Sequence, residues 1–274
     1  MAYKTYVTQR TNRHVVKRID SATNAVDASF GEFGVLGTDN NHLNYPTGLI
    51  ADASDNIYVA NTLNEKITVL SSSLTFTSTL DVSAIVGKPV LMYFDSPNLV
   101  VVGKKVATYF ISKITVAGVE VYTQEIGTYP TVPTGIIKVN STDFAITGLG
   151  LDLDVWQDTG SGFTGLGNQA ITGEDPKIYT GIASDGSNFI LNDGSKLIKI
   201  NSTFENIGGS NRIARPTFLS TVGDTNTILV YDKETQKVKR YSNNLNFIED
   251  VFEDTGDTMS DDAKEIEGLI EIDV

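Results

Sequence analysis

Residues Tyr45 to Phe76 read YPTGLIADASDNIYVANTLNEKITVLSSSLTF. Four short runs rich in β-branched and aromatic residues alternate with clusters of Asn, Asp and Ser, a pattern that predicts four strands joined by three turns. Pro46–Asp52 is the first strand, Asn56–Ala60 the second and Lys66–Leu70 the third; the fourth begins at Leu74. The turns fall at Ser54-Asp55, Asn61–Asn64 and Ser71–Ser73. Such a unit is one blade of a β-propeller, and the rest of the chain repeats it.

Aligned on Gly48, the first strands of the other units fall at Leu91, Gly135, Gly181, Phe218 and Gly268, with spacings of 43, 44, 46, 37 and 50 residues. Four-stranded blades repeat at roughly 40–50 residues, so six fill the chain of 274 residues. Turn residues recur at matching places: Ser96-Pro97, Asn140-Ser141, Asp185-Gly186-Ser187 and Gly223-Asp224-Thr225 between first and second strands, and Asn201-Ser202-Thr203 and Ser242-Asn243-Asn244 between third and fourth. The two ends complete each other. Glu267–Asp273 matches Thr47–Asp52 and is a first strand with no blade after it, while Tyr3–Gln9, His14–Ile19 and Ala25–Phe30 are three strands with no first. The expected fold is all-β: a six-bladed β-propeller with four antiparallel strands per blade, residues 1–274 forming one domain. The ring is closed by the C-terminal innermost strand joining three N-terminal strands, so that residues 1–30 and 266–274 share a blade. Closure of this kind hides strand edges that an open array would expose.

The run Tyr45-Pro46-Thr47-Gly48-Leu49-Ile50-Ala51-Asp52, followed by Asp55-Asn56-Ile57-Tyr58-Val59-Ala60-Asn61, resembles the NHL-repeat family of β-propellers. The lead-in Phe33-Gly34-Val35-Leu36-Gly37 and Leu43-Asn44 shares the resemblance, and Tyr179-Thr180-Gly181-Ile182-Ala183 keeps part of it. The family's usual basic residue near the third strand is Lys66 here. The resemblance implies a propeller that binds proteins or RNA; related six-bladed propellers include metal-dependent lactonases and other hydrolases. Fold alone does not choose among these.

Composition narrows the choice. The formal net charge is −13, which opposes general binding to nucleic acid or anionic membranes, since phosphate recognition needs a basic field. There is no cysteine, so disulfides and thiolate metal sites are excluded. No apolar run is long enough for a transmembrane helix. The N-terminal residues lack the apolar core of a signal peptide, which leaves a virion or cytoplasmic setting as the expectation.

Several motifs invite a chemical reading and fail it. Gly160, Gly162 and Gly165 form G-x-G-x-x-G, but a dinucleotide loop must open a helix, and Asn168–Pro176 is no helix; a turn and strand are expected. His14 and His42 are the only histidines, too few for common zinc sites or a Ser-His-Asp triad. Asp52, Asp95, Asn140, Asp185 and Asp273 recur near the ends of first strands. A hard-cation hydrolase would need such ligands, yet carboxylates beside turns usually receive turn N–H groups, and the structural role is expected. Neither cofactor nor metal is assigned.

The preferred function is non-enzymatic: a rigid propeller that presents loops to other proteins, within a large assembly such as a bacteriophage virion in its narrowest form. A Ca-type lactonase-like enzyme and a cytoplasmic or exported ligand-binding propeller are the alternatives. Candidate contact residues lie on the connections between blades: Asn44, Tyr45, Tyr129, Arg212 and Arg215, since aromatic and arginine side chains anchor interfaces. A second group concerns ring closure. Residues 249–267 carry nine acids and one lysine, and residues 1–20 carry a net +4. Arg10 and Arg13 are therefore expected to face Asp254, Asp257, Asp261 and Asp262 as exposed pairs, each worth about 0–1 kcal/mol.

Overall fold

The computed structural model describes residues 3–10, 13–210, 213, 216–222, 227–253 and 266–273. It is all-β, six blades of four antiparallel strands arranged as a β-propeller, and among the described residues the one helical element is a 3-10 turn at Thr62–Asn64.

Three blades belong to a first compact unit, Met1–Thr128 with Asp254–Val274. The closing blade has the order β24 (Ile266–Asp273), β1 (Tyr3–Gln9), β2 (Val15–Asp20) and β3 (Ala25–Phe30). β24 pairs antiparallel with β1, from Tyr3 opposite Asp273 to Gln9 opposite Ile266. The next blade contains β4 (Pro46–Ala51), β5 (Ile57–Asn61), β6 (Lys66–Leu70) and β7 (Phe76–Asp81), followed by β8 (Lys88–Asp95), β9 (Asn98–Lys105), β10 (Thr108–Thr115) and β11 (Glu120–Thr128). The second unit, Tyr129–Glu253, holds β12 (Gly135–Lys138), β13 (Asp143–Thr147), β14 (Leu153–Asp158) and β15 (Phe163–Gln169); β16 (Ile182–Ser184), β17 (Phe189–Asn192), β18 (Leu197–Ile200) and β19 (Asn206–Gly209); and β20 (Pro216–Val222), β21 (Thr227–Asp232), β22 (Lys237–Ser242) and β23 (Phe247–Glu253).

The strand boundaries differ slightly from the sequence expectation. β5 runs to Asn61, because Asn61 pairs with Lys66 and Pro46. The fourth strand of that blade starts at Phe76, not Leu74. Leu74 instead has a left-handed backbone, φ +60°, which closes the turn and tucks its side chain into the core. Phe204 and Leu245 repeat this in the second unit, each with φ near +60°. Leu74 and Leu245 complete the turn with a buried side chain, and Phe204 with a half-buried one.

Burial falls from second strand to fourth. Every residue of β5, β17 and β21 is buried, whereas β7, β15, β19 and β23 are mostly exposed. Second strands are covered on both faces and read as continuous apolar runs for that reason. In the first unit, Tyr58, Ile67 and Val69 pack against Val86, Met92, Leu99 and Val101, and Tyr6, Val16 and Leu43 against Leu49, Ile57 and Leu70. Each such side chain contributes about 1.5–3 kcal/mol.

Threonine-glycine pairs hold neighbouring blades together within each unit. Thr8 Oγ1 donates to Thr47 O at 2.7 Å, and Thr47 Oγ1 donates to Val90 O at 3.0 Å. Thr134 Oγ1 repeats the contact to Tyr179 O at 3.3 Å. The glycine that follows allows the close approach: a Cβ on Gly48 would stand 2.6 Å from Val90 O, and one on Gly135 3.0 Å from Ile182 N. The Thr-Gly signature that aligns the repeats is thus a blade-to-blade contact.

Candidate functional site

Each blade has two ends. One carries the hairpins between first and second and between third and fourth strands, here the turn end. The other carries the second-to-third hairpin and the connections between blades, here the crossing end.

At the turn ends the side chains satisfy their own loops. Asp52 accepts N–H groups from Ser54 (2.8 Å) and Asn56 (3.0 Å), the Asn56 amide (2.9 Å) and the Tyr58 hydroxyl (3.0 Å). Burial and this bond push the Tyr58 hydroxyl up to about 12. Asp185 accepts from Ser187 and Asn188 and pairs with Lys199 Nζ at 2.6 Å. Burial alone would raise its carboxyl, but Lys199 and the turn N–H groups outweigh it and hold it below the usual range. Asp95 pairs with Lys113 at 3.0 Å, and Asn140 Oδ1 accepts from Thr142 and Asp143. Asp52, Asn140 and Asp185 bear out the turn role expected for them, while Asp95 pairs with a lysine of the third strand; the Asp273 side chain lies outside the described residues. Among the described residues no three His, Cys, Asp or Glu are grouped so as to hold a metal ion. The Gly160–Gly165 motif is a hairpin entering β15, and Gly165 lets the Trp156 indole lie over the strand, since a Cβ there would be 3.2 Å from the ring.

The crossing end of the first unit is different. Its main feature is the segment 31–45, which links β3 to β4. Gly31 opens it with φ +91°, at a point where a Cβ would meet His14 O at 2.4 Å. Leu43, fully buried, anchors the other side. Between them the segment is clipped by His42: Nδ1 lies 2.8 Å from Asp39 Oδ1, and Nε2 lies 3.2 Å from Glu32 Oε2. Both ring nitrogens can donate only in the imidazolium form, and Asp39 and then Glu32 raise the pKa of His42 accordingly. Asn64 Nδ2 donates to Gly37 O at 2.7 Å, and Leu63 N–H to Asn44 O at 3.1 Å, tying the segment to the 3-10 turn. The clipped segment and that turn expose Phe33 (45%), Leu36 (52%) and Leu63 (42%), as well as Val35.

Asn44 and Tyr45, expected as contact residues, sit at the foot of this segment. Tyr45 has φ +53°; its N–H donates to His14 Nδ1 at 3.3 Å and the two rings lie 5.2 Å apart. His14 is thereby an acceptor, and burial holds its pKa below the ordinary imidazole value. Asn44 N–H donates to Asn61 Oδ1 and Asn44 Nδ2 to Asn64 Oδ1, while its buried Oδ1 has no partner among the described residues.

Arg13, expected in an exposed pair, is fully buried, with its guanidinium carbon 5.7 Å from the centre of the Phe33 ring. Arg10 is half-buried. Asp254, Asp257, Asp261 and Asp262 lie outside the described residues, as do Arg212 and Arg215.

In the second unit, Tyr129 begins the connection into β12. Burial and then the charge of Asp154 raise its pKa. Asp154 is buried, accepts the Trp156 indole N–H at 3.0 Å, and is itself raised by burial. Further along, the Tyr179 hydroxyl, Thr180 Oγ1 and Asn192 Nδ2 are buried and have no hydrogen-bond partner among the described residues. Beside them Glu174 gathers Lys177 (2.7 Å), Lys196 (3.3 Å) and the Asn206 amide (2.7 Å). Sequence reasoning missed the His42 clip and this polar group, because both depend on which side chains the connections bring together.

With this geometry in hand, comparison with known proteins speaks to fold. A chain from the crystal structure of a nidogen/laminin complex superposes with a TM-score of 0.67 at 13% identity, covering 98% of both chains. A protein of unknown function from Bacteroides caccae gives 0.66 at 8% identity over 99% of both. Apo AztD from Citrobacter koseri gives 0.55 at 10% identity, over 99% of this chain and 98% of that one. The shared feature is the propeller. No family model matches the chain, and no curated protein does. Among the described residues no helix is long and apolar enough to cross a membrane.

Proposed function

We propose that this chain is a non-enzymatic propeller, working as one domain, that binds another protein through the crossing ends of its blades, with the segment 31–45 as principal contact. The observation that carries this is the clipped segment itself: Phe33, Val35, Leu36 and Leu63 stand exposed on a backbone tied down by His42, Asn64 and Leu43. Apolar side chains held outward on an ordered segment favour association, because little conformational entropy remains to be lost. The resemblance of residues 33–61 to NHL repeats points the same way, as does the shared fold of a nidogen/laminin complex chain. Asn44, Tyr45 and Tyr129 are assigned to the same contact ends; Arg212 and Arg215 extend the assignment on sequence grounds alone. The acidic net charge disfavours nucleic acid as partner.

The test is site-specific photo-cross-linking in lysate from the natural source. A photoreactive residue at Phe33 or Leu36 is expected to yield a discrete protein adduct that is absent when the probe stands at the turn-end Ser54. Equal labelling from both positions overturns the reading. A place in a bacteriophage particle is the narrower form, supported by a cysteine-free, Ser/Thr/Asn/Gly-rich all-β composition; sedimentation of the native protein with a megadalton particle checks it. A small-ligand-binding propeller is the second reading, favoured by the unpartnered Tyr179 hydroxyl and Asn192 amide. The Ca-type hydrolase alternative loses its ligands at the described first strands, where Asp52, Asp95, Asn140 and Asp185 already serve turns or lysines.

A further inference from the structure

Three lysines stand at the crossing end of the β8–β11 blade, Lys88 and Lys104 on one face and Lys105 on the other. Lys88 opens β8 and stands directly opposite Lys104 on β9, and Lys105 ends that strand. Like charges facing each other across a strand pair are destabilising. Lys104 Nζ lies 4.8 Å over the Tyr109 ring and Lys105 Nζ 5.0 Å over Phe110; Lys105 also donates to Ala84 O at 2.6 Å. Among the described residues none of the three ammonium groups is paired with a carboxylate. Lys113, Lys177, Lys199 and Lys239 each have such a pair. Positive charge is thus left uncompensated at one point of a chain that carries −13.

The hairpin tip between these lysines is strained. Lys105 pairs with Thr108, so Val106 and Ala107 form a two-residue turn. Val106 has φ +53° and is fully exposed, at 103%. A β-branched residue in this region is an outlier, and hairpin turns that are left-handed at this first position favour glycine. Leu74 and Leu245 share the backbone conformation, but their buried side chains offset its cost. For Val106 the fold supplies no such offset. A strained, solvated apolar side chain flanked by unpaired lysines is what a contact site retains at the expense of stability.

We infer that the β9–β10 tip, with Lys88, Lys104, Lys105 and Val106, is a docking point for an extended acidic segment of a partner protein. Charge complementarity selects the acidic partner. An extended segment can pass round the tip and meet the lysines on both faces, whereas the chain's net charge of −13 disfavours an anionic bilayer as the partner. The inference rests on the reading of the chain as a protein-binding propeller and names the chemistry of one partner element.

The experiment uses the full chain and a fluorescein-labelled twelve-residue peptide of alternating Glu and Val, with the Gln/Val peptide as control. Fluorescence anisotropy is expected to show binding of the acidic peptide only, weakening about tenfold between roughly 50 and 200 mM salt. Replacing Lys88, Lys104 and Lys105 together with Ser is expected to weaken it at least about tenfold at low salt, with an unchanged circular dichroism spectrum. Val106→Gly should weaken binding several-fold while raising the melting midpoint, a split that a structural role would not produce. Equal binding by the triple variant, unchanged binding by Val106→Gly, or binding to phosphatidylserine vesicles without binding to the peptide overturns the inference. Because the cross-linking experiment probes residues 31–45 and the peptide probes the β9–β10 tip, failure of one is distinguishable from failure of the other.

Discussion

The turn ends and the crossing ends of the blades are built from similar residues and solve opposite problems. At a turn end Asp52 or Asp185 accepts several donors from within five or so residues, or from a lysine on the next strand but one. Among the described residues these carboxylates are matched by donors of their own loop or by a lysine of the same blade. At a crossing end Asn44 Oδ1, the Tyr179 hydroxyl and Asn192 Nδ2 are buried and unmatched, Phe33 and Leu36 face solvent, and Val106 strains its backbone. The carboxylates of the turn ends are arranged for stability, and these crossing-end groups keep features that cost stability, which is the expected mark of a contact surface.

The strongest way to break this contrast is to remove a turn-end carboxylate. Asp185→Ala leaves Lys199 without its carboxylate and the Ser187 and Asn188 N–H groups without an acceptor, and should cost about 2–4 kcal/mol in urea unfolding. The carboxyl is held below its ordinary value in the folded state, so its contribution is present above that value and lost as pH falls through the folded one. The variant's stability should accordingly vary less with pH on the acid side. A cost close to zero would remove the distinction between the ends.

Gly48→Ala comes next, at about 2–3 kcal/mol, because the added Cβ meets Val90 O and the neighbouring blade must shift. Gly186→Ala at a turn end has φ +88° but nothing within 4 Å of the new atom, and should cost only about 1 kcal/mol. Thermal melts of the two variants rank backbone approach against backbone strain; the reverse order would show that the Thr-Gly contact is not what holds these blades together.

At the crossing end the sign changes. Tyr179→Phe removes a buried hydroxyl that has no partner and should be neutral or stabilising by up to about 1 kcal/mol. A clear loss of stability would mean that the hydroxyl is engaged by a bound molecule, which favours the ligand-binding reading. The smallest effect is read by NMR titration of the two histidines. His42, between two carboxylates, should titrate above the ordinary imidazole value, and its contribution is present below that value and lost as pH rises through the folded one. His14, buried and accepting from Tyr45, should titrate below it, and its contribution is present above the ordinary value and lost as pH falls. The opposite order would undo the clip on residues 31–45.

What the sequence determined by itself was the architecture. Six units aligned on Gly48 and the turn roles of Asp52, Asn140 and Asp185 are local patterns of period-two strands, turn chemistry and repeat length, and the completion of Tyr3–Phe30 by the strand near Gly268 follows from counting those repeats. These survive because a hairpin's hydrogen bonds close within a few residues. Only the tertiary structure decided the rest. The burial of Arg13 against Phe33, the grip of Asp39 and Glu32 on His42, the packing of Gly48 against Val90 and the facing of Lys88 and Lys104 join residues 3 to 42 positions apart through the approach of loops and strands. A one-dimensional pattern records which side chains a strand carries. It does not record which neighbouring blade or loop arrives opposite them, and at the crossing ends that arrival decides whether a polar group is matched, an apolar one covered or a charge neutralised.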